Sequence, residues 1–147
     1  MSDVHVYHTS VQWSTRRKGK LGSMGMPNIE VATPPEFPGG HPGIWSPEHL
    51  FVGAAEICLM TTFLSLAEKA KLRFANYTSE AEGFLEKTEG ELRFTRIVLY
   101  PKVVVEREED VEKAHKLLEK AEKYCLISNS MRTEVSIQPT VIAKRNK

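Results

Sequence analysis

Two of the 147 residues are cysteines, and they are the side chains best suited to covalent chemistry. Cys58 closes the run Ala54-Ala55-Glu56-Ile57-Cys58, and Cys125 opens the run Cys125-Leu126-Ile127-Ser128-Asn129. A cysteine attacks only as its thiolate. Each therefore competes with a plainer role: Cys58 as a small buried hydrophobe within a helix, Cys125 as a spare thiol at a helix end. Two cysteines in a chain of this length do not make a disulfide scaffold. The start, Met1-Ser2-Asp3-Val4-His5, has no basic segment followed by an apolar run, so the expectation is no signal peptide and a cytoplasmic location. In that compartment a cysteine pair is more often catalytic or redox-active than structural.

Other chemistries find little support. His5, His8, His41, His49 and His115 do not fall at metal-ligand spacing with the cysteines, so no metal is expected. There is no phosphate loop, no dinucleotide fingerprint and no serine-hydrolase order of residues, so no cofactor is expected either. The net charge of +1 implies no strong field towards nucleic acid or a membrane. The 41% hydrophobic and 27% charged contents are those of an ordinary globular protein, and the length suits one domain over residues 1–147.

The elements that must position the cysteines follow from pattern. Ser46 is a good N-cap and Pro47 is at home in the first helical position, so a helix starts there and runs to about Lys71. From Leu50 to Ala67 it is apolar or small on nearly every face, which predicts a buried central helix. Glu56 and its charged end argue against a membrane span. Before it, residues 4–13 and Asn28–Thr33 read as strands, and Arg16-Arg17-Lys18-Gly19-Lys20 as a basic hairpin turn. Residues 34–45 are too rich in Pro and Gly for regular structure, yet carry Phe37, Ile44 and Trp45. After it, Phe74–Lys87 and Glu91–Glu106 read as a hairpin turning at Glu89-Gly90, with Pro101 marking an edge or a bulge. Glu109–Tyr124 has the three-four apolar spacing of an amphipathic helix. Arg132–Ile142 alternates as a last strand. Separate runs of strands and helices predict an α+β fold with antiparallel sheets around the long helix.

In that order the chain resembles the OsmC/Ohr family of peroxide-detoxifying thiol proteins over about residues 5–142. Arg17-Lys18-Gly19-Lys20 is similar to the family's basic turn. Gly39-Gly40 and then Ser46-Pro47-Glu48-His49-Leu50 resemble its loop and helix start. Ala54-Ala55-Glu56-Ile57-Cys58 resembles its first cysteine motif, and Cys125-Leu126-Ile127-Ser128-Asn129 its second. The four together, in order, carry the likeness. It implies an OsmC-like fold, an intertwined homodimer with two sites at the interface, and reduction of organic hydroperoxides, or of hydrogen peroxide, by a cysteine pair. Two positions depart from the pattern. Leu126 stands where the family usually has proline, which would loosen that loop. Glu56 places a carboxylate near Cys58, where a negative charge raises a thiol's pKa. Residues two apart on a helix point about 200° apart, which weakens that effect.

The resemblance assigns roles. Cys58 becomes the peroxidatic nucleophile, oxidised to a sulfenic acid, and Cys125 the resolving thiol that closes a Cys58–Cys125 disulfide. An external dithiol, by resemblance a lipoyl-bearing protein or a small thiol, reopens it. Arg17 is the activator, a permanent cation that lowers a thiol's pKa and binds a peroxide oxygen, against the alternative of a solvated turn. Glu48 orients Arg17 through a bidentate pair, against the alternative of an acid on the helix dipole. Phe37, Ile44, Trp45 and Phe51 are candidate walls of an apolar substrate slot, or equally ordinary packing.

Helix geometry adds a condition. Glu48 and Cys58 are ten positions apart, about 15 Å along one straight helix, and do not share a site there. If both act, a site must combine Cys58 of one subunit with Glu48 of another, as two helices crossing about a twofold axis would allow. Two other functions remain open on the same fold: a small-molecule or lipid-binding dimer, and a redox sensor whose disulfide alters a partner contact.

Overall fold

Ser46 starts the long helix as its side chain predicts. In the computed structural model, which describes residues 3–145, helix α1 spans Pro47–Lys69. The His49 N–H donates to Ser46 Oγ at 3.1 Å, and that hydroxyl also meets His49 Nδ1 at 2.7 Å. Ser46 is fully buried, so these bonds satisfy a hydroxyl that water does not reach. The described residues fall into two compact units, one ending at Phe51 and one beginning at Val52.

The first unit holds a three-stranded antiparallel sheet of β1 Ser10–Thr15, β2 Lys18–Gly22 and β3 Ile29–Ala32, in that order. The first strand starts later than its composition suggested. Val4 to Thr9 have no strand partner, although Val, Tyr and Thr favour extended structure. The basic turn is also shorter: only Arg16 and Arg17 turn, Arg16 with φ 52°, while Lys18 to Lys20 already pair with β3. The Pro- and Gly-rich loop then folds back on the sheet. The Ala32 N–H donates to the Trp45 carbonyl at 2.9 Å, and the His41 N–H to the Thr33 carbonyl at 2.9 Å. Gly40 packs so closely on the Pro34 carbonyl that no Cβ would fit.

In the second unit β4 Phe74–Thr88 and β5 Glu91–Val105 form the expected hairpin. Its turn residues Glu89 and Gly90 have φ of 50° and 81°, the paired positive values of a tight hairpin turn. After a 3₁₀ turn at Glu108–Asp110 comes α2 Val111–Lys123, which buries Ala114, Leu118 and Ala121. A one-turn helix, α3 Leu126–Asn129, follows with Cys125 at its N-cap.

The last strands correct the antiparallel expectation. β6 Glu134–Ile137 and β7 Thr140–Ala143 both run parallel to β5, so this sheet is mixed. The chain leaves β5 through a helix and returns in the same direction, the crossover that parallel pairing requires. The single strand read over Arg132–Ile142 is two, broken at Gln138-Pro139. Pro101 is not at an edge, because β5 is paired on both sides. It stands opposite Ser79 of β4 and in the gap where pairing with β6 ends at Leu99 and pairing with β7 begins at Lys102. A residue without an N–H is tolerated where the ladder is interrupted.

Helix α1 is not enclosed all round in the single chain. Its buried residues are Ala55, Cys58, Leu59, Phe63 and Ala67, one stripe at steps of three and four. Phe63 sits against the rings of Phe74 and Tyr77, with centroids 5.6 and 5.4 Å away. On other faces Ile57 is 59% and Leu64 37% exposed. By length and composition alone α1 could also cross a bilayer.

Candidate active site

The two cysteines, far apart in sequence, meet in the second unit. Both are buried and neither is in a disulfide. α1 presents Cys58 on its buried stripe, and the turn after α2 brings in Cys125 at the head of α3. The Cys58 sulfur is surrounded by donors. Burial pushes its pKa up, but the Ile127 N–H, the Cys125 S–H, the Thr62 hydroxyl and the Leu126 N–H together hold it below the ordinary thiol value of 9.0. Each of these bonds favours the anion.

Cys125 is shifted the other way. Burial raises it, Ser128 Oγ donates to its sulfur at 3.3 Å and lowers it, and its own donation to Cys58 together with the Cys58 charge raises it again. The net result is a thiol pushed up beside a thiol pushed down, and two like groups whose environments separate their pKa values have separate protonation roles. Cys58 is the one poised to ionise. The contact between the two sulfurs is one of the causes that separate them, lowering Cys58 and raising Cys125.

Leu126 acts here through its backbone. In place of a looser loop, the structure has a fully formed turn, with the Asn129 N–H bonded to the Cys125 carbonyl at 3.0 Å. A proline at 126 has no N–H to give, so leucine adds a donor to the Cys58 sulfur. Glu56 acts on another group. Its charge, after burial, raises the pKa of Tyr77, to which Cys125 also contributes. The Tyr77 hydroxyl is buried without a hydrogen-bond partner among the described residues.

The charged residues predicted for the site lie in the first unit. Arg17 sits in the β1–β2 turn with its guanidinium along Gly39, where an added Cβ would come within 2.7 Å of Arg17 Nε. Glu48 occupies the first turn of α1. Among the described residues no ion pair joins Arg17 to Glu48. Glu48 Oε1 is buried with no hydrogen-bond partner among the described residues, as is His41 Nε2. Of the proposed slot residues, Ile44 and Trp45 line a depression of about 280 Å³ with Gly43 and His49. Trp45 and His49 stand edge to face at 6.3 Å. Phe37 and Phe51 are half-buried. No group of three or more His, Cys, Asp or Glu among the described residues could hold a metal ion.

The sequence reading passed over Thr62, Ser128 and the amides of α3. Spacing alone could have suggested two of them. Thr62 is four residues after Cys58 on a helix, and Ser128 three after Cys125, the separations at which helical side chains meet.

Residues 40–140 match the family model described as OsmC-like protein. The chain belongs to the OsmC family. The uncharacterized protein YmaD of Bacillus subtilis (strain 168) is 30% identical over 143 residues, covering 94% of this chain and 93% of that protein. An OsmC-like protein of unknown function from Vibrio cholerae superposes with a TM-score of 0.84 at 27% identity, over 92% of this chain and 99% of its own. An organic hydroperoxide resistance protein from Elizabethkingia anophelis, with thiocyanate bound, superposes at 0.76 and 22% identity, over 98% and 100%, and shows the shared OsmC fold.

Proposed function

We propose that this OsmC-family protein is a thiol-dependent peroxidase acting on organic hydroperoxides, with hydrogen peroxide as a second substrate. The observation that supports this best is the unequal thiol pair, with Cys58 held towards the anion and Cys125 towards the thiol. The Cys58 thiolate attacks one oxygen of the peroxide bond and becomes a sulfenic acid. The other oxygen leaves with a proton as alcohol, or as water from hydrogen peroxide. Cys125, as its thiolate, then displaces the sulfenic oxygen, which departs as water, and a disulfide forms. An external dithiol reduces that disulfide and is itself oxidised. Membership of the OsmC family, together with similar solved structures called organic hydroperoxide resistance proteins, supports the same reading.

The working unit in this reading is a homodimer. A second copy would cover the face of α1 that exposes Ile57 and Leu64. The arms Arg17 and Glu48 would complete a site whose sulfur belongs to the other subunit. That arrangement gives Glu48 Oε1, buried and without a partner among the described residues, something to bind. Ile44 and Trp45 would form part of the apolar wall for the organic group.

The test is steady-state consumption of cumene hydroperoxide with dithiothreitol or dihydrolipoamide as reductant. The native protein should turn over, and Cys58→Ser should lose at least 10³-fold, roughly the cost of removing an essential nucleophile. Peroxide consumption at the native rate in Cys58→Ser removes this reading. Stoichiometric thiol loss without turnover would favour a sensor, and no thiol loss a binding protein.

A further inference from the structure

We propose that Thr62 is a positioning residue for the Cys58 sulfur, its hydroxyl holding the thiolate on the buried stripe of α1. The evidence begins with two adjacent threonines that behave differently. A threonine in a helix ordinarily turns its hydroxyl to the carbonyl three or four residues back. Thr61 does this, donating to the Cys58 carbonyl at 3.2 Å. Thr62 does not. Its Oγ1 meets Cys58 Sγ at 3.9 Å and makes no other hydrogen bond among the described residues.

The geometry has a simple cause. Helical side chains lean towards the N-terminus, so a residue four positions on reaches back over the earlier one. β-Branching restricts the hydroxyl to few rotamers, which makes the contact repeatable. With Cys58 as a thiol, either atom could donate. With Cys58 as a thiolate the sulfur has no proton, and Thr62 must be the donor. The contact thus strengthens when the reacting form appears. It is also independent of α3. The other donors all come from Cys125 to Ile127 and would shift when Cys125 moves to close a disulfide, whereas Thr62 shares a rigid helix with Cys58. At 3.9 Å the bond is long, so its effect should be modest, about half a pKa unit.

The chemistry of this contact does not depend on the peroxidase reading, but its use in catalysis does. The experiment is the pH dependence of Cys58 alkylation by iodoacetamide, read on the Cys58 peptide by mass spectrometry in the full-length protein. Thr62→Val keeps the shape and loses the hydroxyl. It should raise the apparent pKa of Cys58 by about half a unit and slow alkylation about threefold on the acidic limb. Thr62→Ala, a second variant that relieves any crowding by valine, should shift the same way. Thr62→Ser should titrate as the native protein does, and so should Thr61→Val, which removes the carbonyl bond alone. The proposal is overturned if Thr62→Val and Thr62→Ala follow the native curve, or if Thr62→Ser or Thr61→Val moves it as far. Peroxide turnover is measured separately on the native protein. Absence of turnover with the Thr62 shift intact would overturn the peroxidase function and leave this contact standing.

Discussion

The unit that begins at Val52 and the unit that ends at Phe51 carry different halves of the expected chemistry, in different states of completion. In the later unit the sulfurs are already furnished. Cys58 has donors on several sides, and Cys125 has Ser128. In the earlier unit polar groups lack partners among the described residues: Glu48 Oε1 and His41 Nε2 are buried without a hydrogen bond there, and no carboxylate among those residues pairs with Arg17. A buried carboxylate oxygen without a donor costs about 1–3 kcal/mol or more, and such a cost persists when something outside the chain relieves it. The difference fits the proposed reading, in which one chain supplies hydrogen-bond donors to the thiol, whereas Arg17 and Glu48 would act on the site of a second copy.

Three experiments bear on that contrast, and the first should have the largest effect. Cys125→Ser should consume about one equivalent of peroxide and then stall, losing roughly 10²-fold or more in turnover while its Cys58 over-oxidises. If it resists over-oxidation as the native protein does, Cys125 is not the resolving thiol and the later unit is less complete than it looks.

The second joins the halves. Glu48→Ala spoils one half of each proposed site and Cys58→Ser the other. In a mixed dimer sharing sites across the interface, one site is whole and the other carries both lesions. Mixed dimers, shown to form by mass spectrometry of tagged subunits, should recover about half the native activity. Activity at the mean of the two parents would show that Glu48 serves no partner's site.

The third effect is smaller. Arg17→Ala should raise the apparent pKa of Cys58 by about one unit. The rate of the first step rises with pH as the thiolate forms, and the Cys58 thiol lies below its usual range, so the limb in question lies below pH 9.0. The variant should therefore lose most on that limb and keep above it only the smaller deficit of a missing donor to the peroxide oxygen. An unchanged pH profile would assign thiol activation to the later unit alone and leave Arg17 as a solvated turn.

How much of this could be read from the chain varies with the range of the interaction. Ser46-Pro47 and Glu89-Gly90 were legible because caps and tight turns are decided by a few neighbouring residues. The amphipathic helix after Glu109 was legible because its face is periodic. The direction of β6 and β7 was not, since alternation looks the same in parallel and antiparallel pairing. The even hydrophobicity of α1 concealed which face its own chain covers. At Leu126 the sequence shows a missing proline ring, whereas the structure shows an amide directed at Cys58. The meeting of Cys58 with Cys125 came into the sequence reading through likeness to a family, because no local rule brings such distant residues together.

The α3 turn also bears on how the cycle would be reset. Of the two residues, Cys125 is wholly enclosed and Cys58 is 8% exposed, so access favours attack at Cys58. The electronics point the opposite way. In thiol exchange the sulfur released is the one whose anion is better stabilised, and the amides of Leu126 and Ile127 stabilise that of Cys58. A reductant striking Cys125 would thus have the better leaving group but the harder approach, and the four-residue turn Leu126–Asn129 follows that residue directly. Displacing it would open the way and at the same time withdraw the amides. The choice of reductant is in this sense a contest between shape and nucleofugality, and a slender dithiol able to reach in without unseating the turn is the kind of molecule that would win it.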